Sequence, residues 1–99
     1  MAMTTLHGGI YPPSPTFFDA AGELDLATLA THVTWLMGHS LPGLLALGSN
    51  GEALHLDDGE RVAVIRATRA AMDAQPRPGV LLAGTADQTT RGTIARCRA

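Results

Sequence analysis

Between Leu26 and Met37 the apolar residues Leu26, Leu29, Ala30, Val33, Leu36 and Met37 recur at spacings of three and four. That period lines one face of an α-helix. Asp25 precedes the stripe and can accept from the free N–H groups of a first turn. Gly38, or the Ser40-Leu41-Pro42-Gly43 group, ends it, so the predicted helix covers 25–38. Residues 43–47 lack any alternation. A short continuous apolar run of this kind fits a strand of a parallel sheet that helices cover on both faces. Further on, Asp57 and Glu60 have the capping-box spacing, with Asp in the Ser/Thr role. Val62, Ile65 and Met72 then share the apolar face of a helix predicted over 58–74. Pro76-Arg77-Pro78-Gly79 breaks the pattern. Val80-Leu81-Leu82-Ala83 is another apolar strand, and a short helix over 90–99 follows. That last helix carries Gly92 and is marginal by itself.

The stretch before all of these mixes β-favouring residues with Pro12, Pro13 and Pro15. Proline gives up a ladder hydrogen bond, so a strand over 9–13 is expected to stop at Pro12 or Pro13. The predicted order is β-α-β-α-β-α, with strands starting roughly every 35 residues, close to the length of one βα unit. Such alternation implies a parallel sheet with right-handed crossovers. A complete (β/α)8 barrel needs about 250 residues, so three βα units would be about three-eighths of one.

Composition narrows the function classes. The chain has 99 residues, a 45% hydrophobic fraction and a net charge of −2, which suits one small globular domain. The balance gives no basic patch for nucleic acid. No run approaches the ~18 apolar residues of a membrane span. Met1 to His7 lacks the features of a secretory signal, and one cysteine, Cys97, cannot form an internal disulfide. A cytoplasmic location is expected on these grounds, with an organelle such as the mitochondrion still open. All seven basic residues are arginines. The chain has no lysine, and chemistry that needs an ε-amino nucleophile is closed to it.

The candidate chemistry lies in Gly48-Ser49-Asn50-Gly51-Glu52, directly after the first fully apolar run. Glycines let a backbone approach a ligand closely, and successive N–H groups can converge on one anion. Without further context the same turn is more often only a tight connection. His7, His32, His39 and His55 show no convergent ligand spacing, and no metal site is expected. Asp57 and Asp58 are explained by their place at a helix N-terminus. Trp35 falls opposite the apolar stripe, either as a lone exposed aromatic or as a contact with another segment or subunit.

Gly9-Ile10-Tyr11-Pro12-Pro13 with Thr16 and Phe18, together with Gly48-Ser49-Asn50-Gly51-Glu52, resembles the dihydrodipicolinate synthase/N-acetylneuraminate lyase family. The Ser-Asn form of the turn and the Tyr-Pro-Pro opening look most like its 4-hydroxy-2-oxoglutarate aldolase branch. Glu60-Arg61 and the run Val80 to Thr85 fit the same pattern. The resemblance implies a TIM barrel that performs class I aldolase chemistry on pyruvate or a related 2-oxo acid, without a cofactor. A barrel lysine forms a Schiff base in that chemistry, and the protonated imine serves as electron sink. By resemblance, Ser49 would contact the substrate carboxylate and take part in proton relay. Asn50 would bind the carboxylate, Gly48 and Gly51 would shape the turn, and Pro12 and Thr16 would lie near the substrate. Glu52 would be structural. The family implies homo-oligomers at full length.

Two departures stand out. Phe17 occupies a position where the family usually has proline. The Schiff-base lysine and the shuttle tyrosine belong to later strands, and Tyr11 is not that tyrosine. Two hypotheses follow: an N-terminal part of a 2-oxo-acid aldolase that carries only the carboxylate-binding portion, or a truncated, non-catalytic α/β module or partner-binding fragment.

Overall fold

A computed structural model describes residues 5–99. The regular elements are α1 (Leu26–Met37), β1 (Gly43–Ala46), α2 (Asp58–Asp73), β2 (Val80–Ala83) and α3 (Thr90–Arg98), with two short 3-10 turns, Ser49–Gly51 and Ala53–His55, between β1 and α2. The two strands pair in parallel, Gly43 opposite Val80 through Ala46 opposite Ala83. No closed barrel forms from these elements.

The strand expected over 9–13 does not form as a regular element. A single parallel bridge joins Pro13 to Leu45. The Leu45 N–H donates to the Pro12 carbonyl at 3.0 Å, and the Ser14 N–H donates to the Leu45 carbonyl at 2.8 Å. Ser14 carries the one backbone donor between Pro12 and Pro15, and that donor is used. The prolines on either side have nothing further to give the ladder. The segment nonetheless lies beside β1 on the edge away from β2, so the parallel order along the sheet follows the chain.

Glycines set how closely the strands meet. A Cβ at Gly43 would overlap the Val80 carbonyl, and one at Gly84 would overlap the Leu47 carbonyl. Each end of the pairing therefore needs a residue without a side chain.

The core lies between the sheet and the α1–α2 pair, where Leu29, Val33, Leu44, Ala46, Val64 and Met72 are buried. Asp25 caps α1 by accepting from the Thr28 N–H at 3.0 Å. The capping box at α2 is complete: Glu60 N–H to Asp57 at 2.7 Å, and Asp57 N–H to Glu60 at 3.0 Å. The buried face of α2 differs from the expected Val62–Ile65–Met72 stripe. It consists of Arg61, Val64, Thr68 and Met72. An arginine can lay its aliphatic stem along apolar neighbours while its guanidinium seeks a carbonyl, and the Arg61 Nε reaches the Leu56 carbonyl at 3.5 Å. Trp35 is exposed, stacked near His32 and edge-on to His39, with ring centroids 5.9 and 4.7 Å away.

Candidate functional site

β1 ends where Leu47 turns into the left-handed region, at φ 59°. A leucine in that region is strained and holds only when its surroundings fix it; Leu47 is buried. The chain then makes the Ser49–Gly51 turn. The Gly48 carbonyl accepts from the N–H groups of Gly51 (3.1 Å) and Ala53 (3.4 Å), and the Ser49 carbonyl from Glu52 N–H (3.0 Å). Glu52 closes the turn in a second left-handed conformation, at φ 55°.

This bonding consumes the later N–H groups and spares the first ones. Among the described residues, the backbone N–H groups of Ser49 and Asn50 have no protein acceptor. Leading N–H groups of a helical turn carry partial positive charge and are left to side chains, water or ligands. The side chains of Ser49 and Asn50 are exposed and also make no hydrogen bond within the described chain. Four donors are thus available at the C-terminal end of a buried parallel strand, where open α/β sheets and barrels place ligands.

The other candidate residues divide into two kinds. Gly51 is buried, and a Cβ there would lie 3.2 Å from the Ser14 carbonyl oxygen. Gly48 is half-buried, with its missing Cβ 3.1 Å from the Leu45 side chain. Thr16 is buried, and its hydroxyl donates to the Gly51 carbonyl at 2.6 Å. Pro12 offers its carbonyl to β1. These four support the turn, and Ser49 and Asn50 present free groups. Arg61, which the family resemblance included with Glu60, is buried next to the loop's end at Leu56; no apolar period reveals an arginine on an inward helix face.

A cleft of about 210 Å³ opens between α2 and α3, lined by Leu47, Arg61, Ile65, Thr85 and Arg96 among others. It does not include Ser49 or Asn50. Arg96 lies 3.9 Å from Asp58 and 3.8 Å from Asp87, too far for hydrogen bonds, so these ion pairs are weak. No cluster of three metal-ligating side chains exists among the described residues. Nor is any described helix long and apolar enough to cross a membrane.

Parallel strands in chain order, helices against the sheet, and a donor-rich turn at a strand's C-terminal end mark the chain as a parallel α/β protein, the class that includes open sheets and (β/α)8 barrels. Residues 6–94 match the sequence profile of the Dihydrodipicolinate synthetase family, and the chain belongs to that family. It is 43% identical to an L-threo-3-deoxy-hexylosonate aldolase of Aspergillus niger, over 99% of this chain and 30% of that protein. It is 37% identical to a probable mitochondrial 4-hydroxy-2-oxoglutarate aldolase of Emericella nidulans, over 99% of this chain and 32% of that one. Among solved structures, a prophage protein of the dihydrodipicolinic acid synthase family from Escherichia coli K12, crystallised with pyruvate, superposes with a TM-score of 0.83. That match is 34% identical and covers 95% of this chain and 30% of the other. The chain spans about a third of the length of these relatives.

Proposed function

We propose that this chain supplies the carboxylate-gripping opening of a 2-oxo-acid aldolase or lyase, whose lysine Schiff base belongs to strands found in full-length relatives. The observation that supports this most is the free donor set at Ser49 and Asn50. A carboxylate accepts from several N–H and O–H groups at once, and charge-assisted bonds of this kind are short and strong. The Ser49 hydroxyl can also pass a proton, as relay chemistry requires. Pyruvate is the natural ligand to test, given the pyruvate complex of the Escherichia coli relative.

Catalysis by this chain alone is not expected, because without lysine there is no internal amine to form the imine. That absence also favours the second reading, a non-catalytic module that binds a small carboxylate or a partner. For full-length relatives we infer homo-oligomers. The cytoplasm is the default compartment, and the mitochondrial description of the Emericella nidulans relative supports the organelle as the other choice.

Saturation-transfer NMR with pyruvate tests the grip. Binding in the millimolar range is expected, weakened about tenfold by Ser49→Ala, which corresponds to about 1.4 kcal/mol. Pyruvate that contacts no residue of the turn would sink the proposal. Borohydride trapping followed by peptide mass mapping should find no adduct beyond the α-amino group, and an internal imine-derived mass shift would overturn the non-catalytic expectation.

A further inference from the structure

We propose that Thr16 is a positioning residue: its buried hydroxyl fixes the Gly51–Glu52 peptide, and so the direction in which the Ser49 and Asn50 donors are presented. The role of those donors rests on the carboxylate reading of the turn; the fixing of the peptide does not. Thr16 is 8% exposed and donates to the Gly51 carbonyl at 2.6 Å, across 35 residues of sequence. Among the described residues this is the only partner of that carbonyl oxygen. Gly51 is itself buried, so a lost hydrogen bond would leave a desolvated acceptor.

A specific alternative lies close by. Glu52 has φ 55°, a conformation that costs a side-chain-bearing residue free energy. Rotating the Gly51–Glu52 peptide would return Glu52 to negative φ. Gly51, with no Cβ, offers no steric bar to its own half of that rotation. The Thr16 hydroxyl opposes it at the carbonyl end of the peptide, and the Ser49 carbonyl, which accepts from the Glu52 N–H, at the other end. The Ser14 carbonyl packs close to Gly51, 3.2 Å from where a Cβ would lie. Ser14 is held in turn by its N–H bond to Leu45 of β1. The sheet bridge at Pro13 therefore sets where Thr16 stands, and Thr16 sets the turn.

Amide hydrogen exchange on the whole chain tests this, with Thr16→Val removing the hydroxyl at nearly constant shape and Thr16→Ser restoring it. In Thr16→Val, exchange at Glu52 and Ala53 should rise at least tenfold relative to α1 and α2. Thr16→Ser should stay within about threefold of the wild type at the same amides. Equal exchange in wild type and valine variant, or a rise spread evenly over α1 and α2, would overturn the assignment. Should Thr16→Val not fold, the unsubstituted chain decides. A Thr16 hydroxyl proton in slow exchange, with a nuclear Overhauser contact to the Glu52 α-proton, is expected, and a freely exchanging hydroxyl refutes the proposal. Pyruvate affinity is the second readout: about tenfold weaker in Thr16→Val, and recovered in Thr16→Ser. If the wild type binds no pyruvate, the carboxylate reading fails, while the exchange data still decide whether Thr16 holds the peptide.

Discussion

β1 and β2 have the same length and nearly the same composition, yet they sit in different surroundings. β1 has neighbours on both edges, the Pro12–Ser14 segment on one side and β2 on the other, and Gly43, Leu44 and Ala46 are buried. β2 pairs on one edge only, and none of its four residues is fully buried. The helices repeat the contrast. α2 buries four residues against the core, and α3 buries none. Burial on folding is what offsets chain entropy, so the first two βα units carry the stability and the third borrows from them. The donor-bearing turn belongs to the well-supported side.

Truncating Leu44 should have the largest effect. It is fully buried, and Leu44→Ala should cost about 2–5 kcal/mol in urea denaturation. Leu82→Ala, at a half-buried edge position, should cost about 1 kcal/mol. Equal losses would erase the distinction between the strands. Next in size is Gly43→Ala. It forces a methyl group against the Val80 carbonyl and should cost about 1–3 kcal/mol. Gly59→Ala in the first turn of α2 provides the contrast. Its Cβ meets only the Asp57 carboxylate, at 3.4 Å, and the change should be neutral or stabilising by up to about 1 kcal/mol.

How much of this was legible in the sequence depends on the physics behind each element. The 3.6-residue stripe of α1 and the Asp57/Glu60 pair are local signals, and both correspond to structure seen here. The apolar runs of β1 and β2 look alike as sequence, because composition does not record which edge lacks a neighbour. The opening segment was harder still: three prolines removed the donors that would have made its bridge a ladder. At the turn, the glycines and the Ser-Asn pair could be read. The left-handed Leu47 and Glu52 and the Thr16 clamp could not, since each depends on contacts between residues far apart in sequence. The burial of Arg61 could not be read either, because an apolar pattern does not register the reach of a charged side chain's stem.

Hydrogen exchange sharpens the comparison at lower amplitude. Amides of α3 should exchange ten to a hundred times faster than those in the middle of α2, as expected for a segment with little buried area. Similar protection in the two helices would show that α3 is held by more than its contacts suggest. The smallest effect concerns Asp25. Hydrogen bonds from the Thr28 N–H and then the Thr28 hydroxyl hold its carboxyl below the ordinary value of 3.8. A lowered carboxyl pKa stabilises the fold at pH above that ordinary value, and the contribution fades as pH falls through the folded-state value. Asp25→Ala should therefore lower Tm slightly at pH 7, and the gap to wild type should narrow in acid. A gap that widens below the ordinary carboxyl range would contradict the cap.

The ring ladder on α1 makes Trp35 a particular kind of optical probe. It is the single tryptophan of the chain, it is mostly exposed, and it touches His39 edge-on at 4.7 Å. Its emission maximum is set mainly by water in the native state and after unfolding alike. Intensity should be the more informative signal, because unfolding separates the indole from the imidazole edge that it touches in the native state. A fluorescence melt would thus follow the outer side of α1, while remaining nearly silent about events at the Gly48–Glu52 turn.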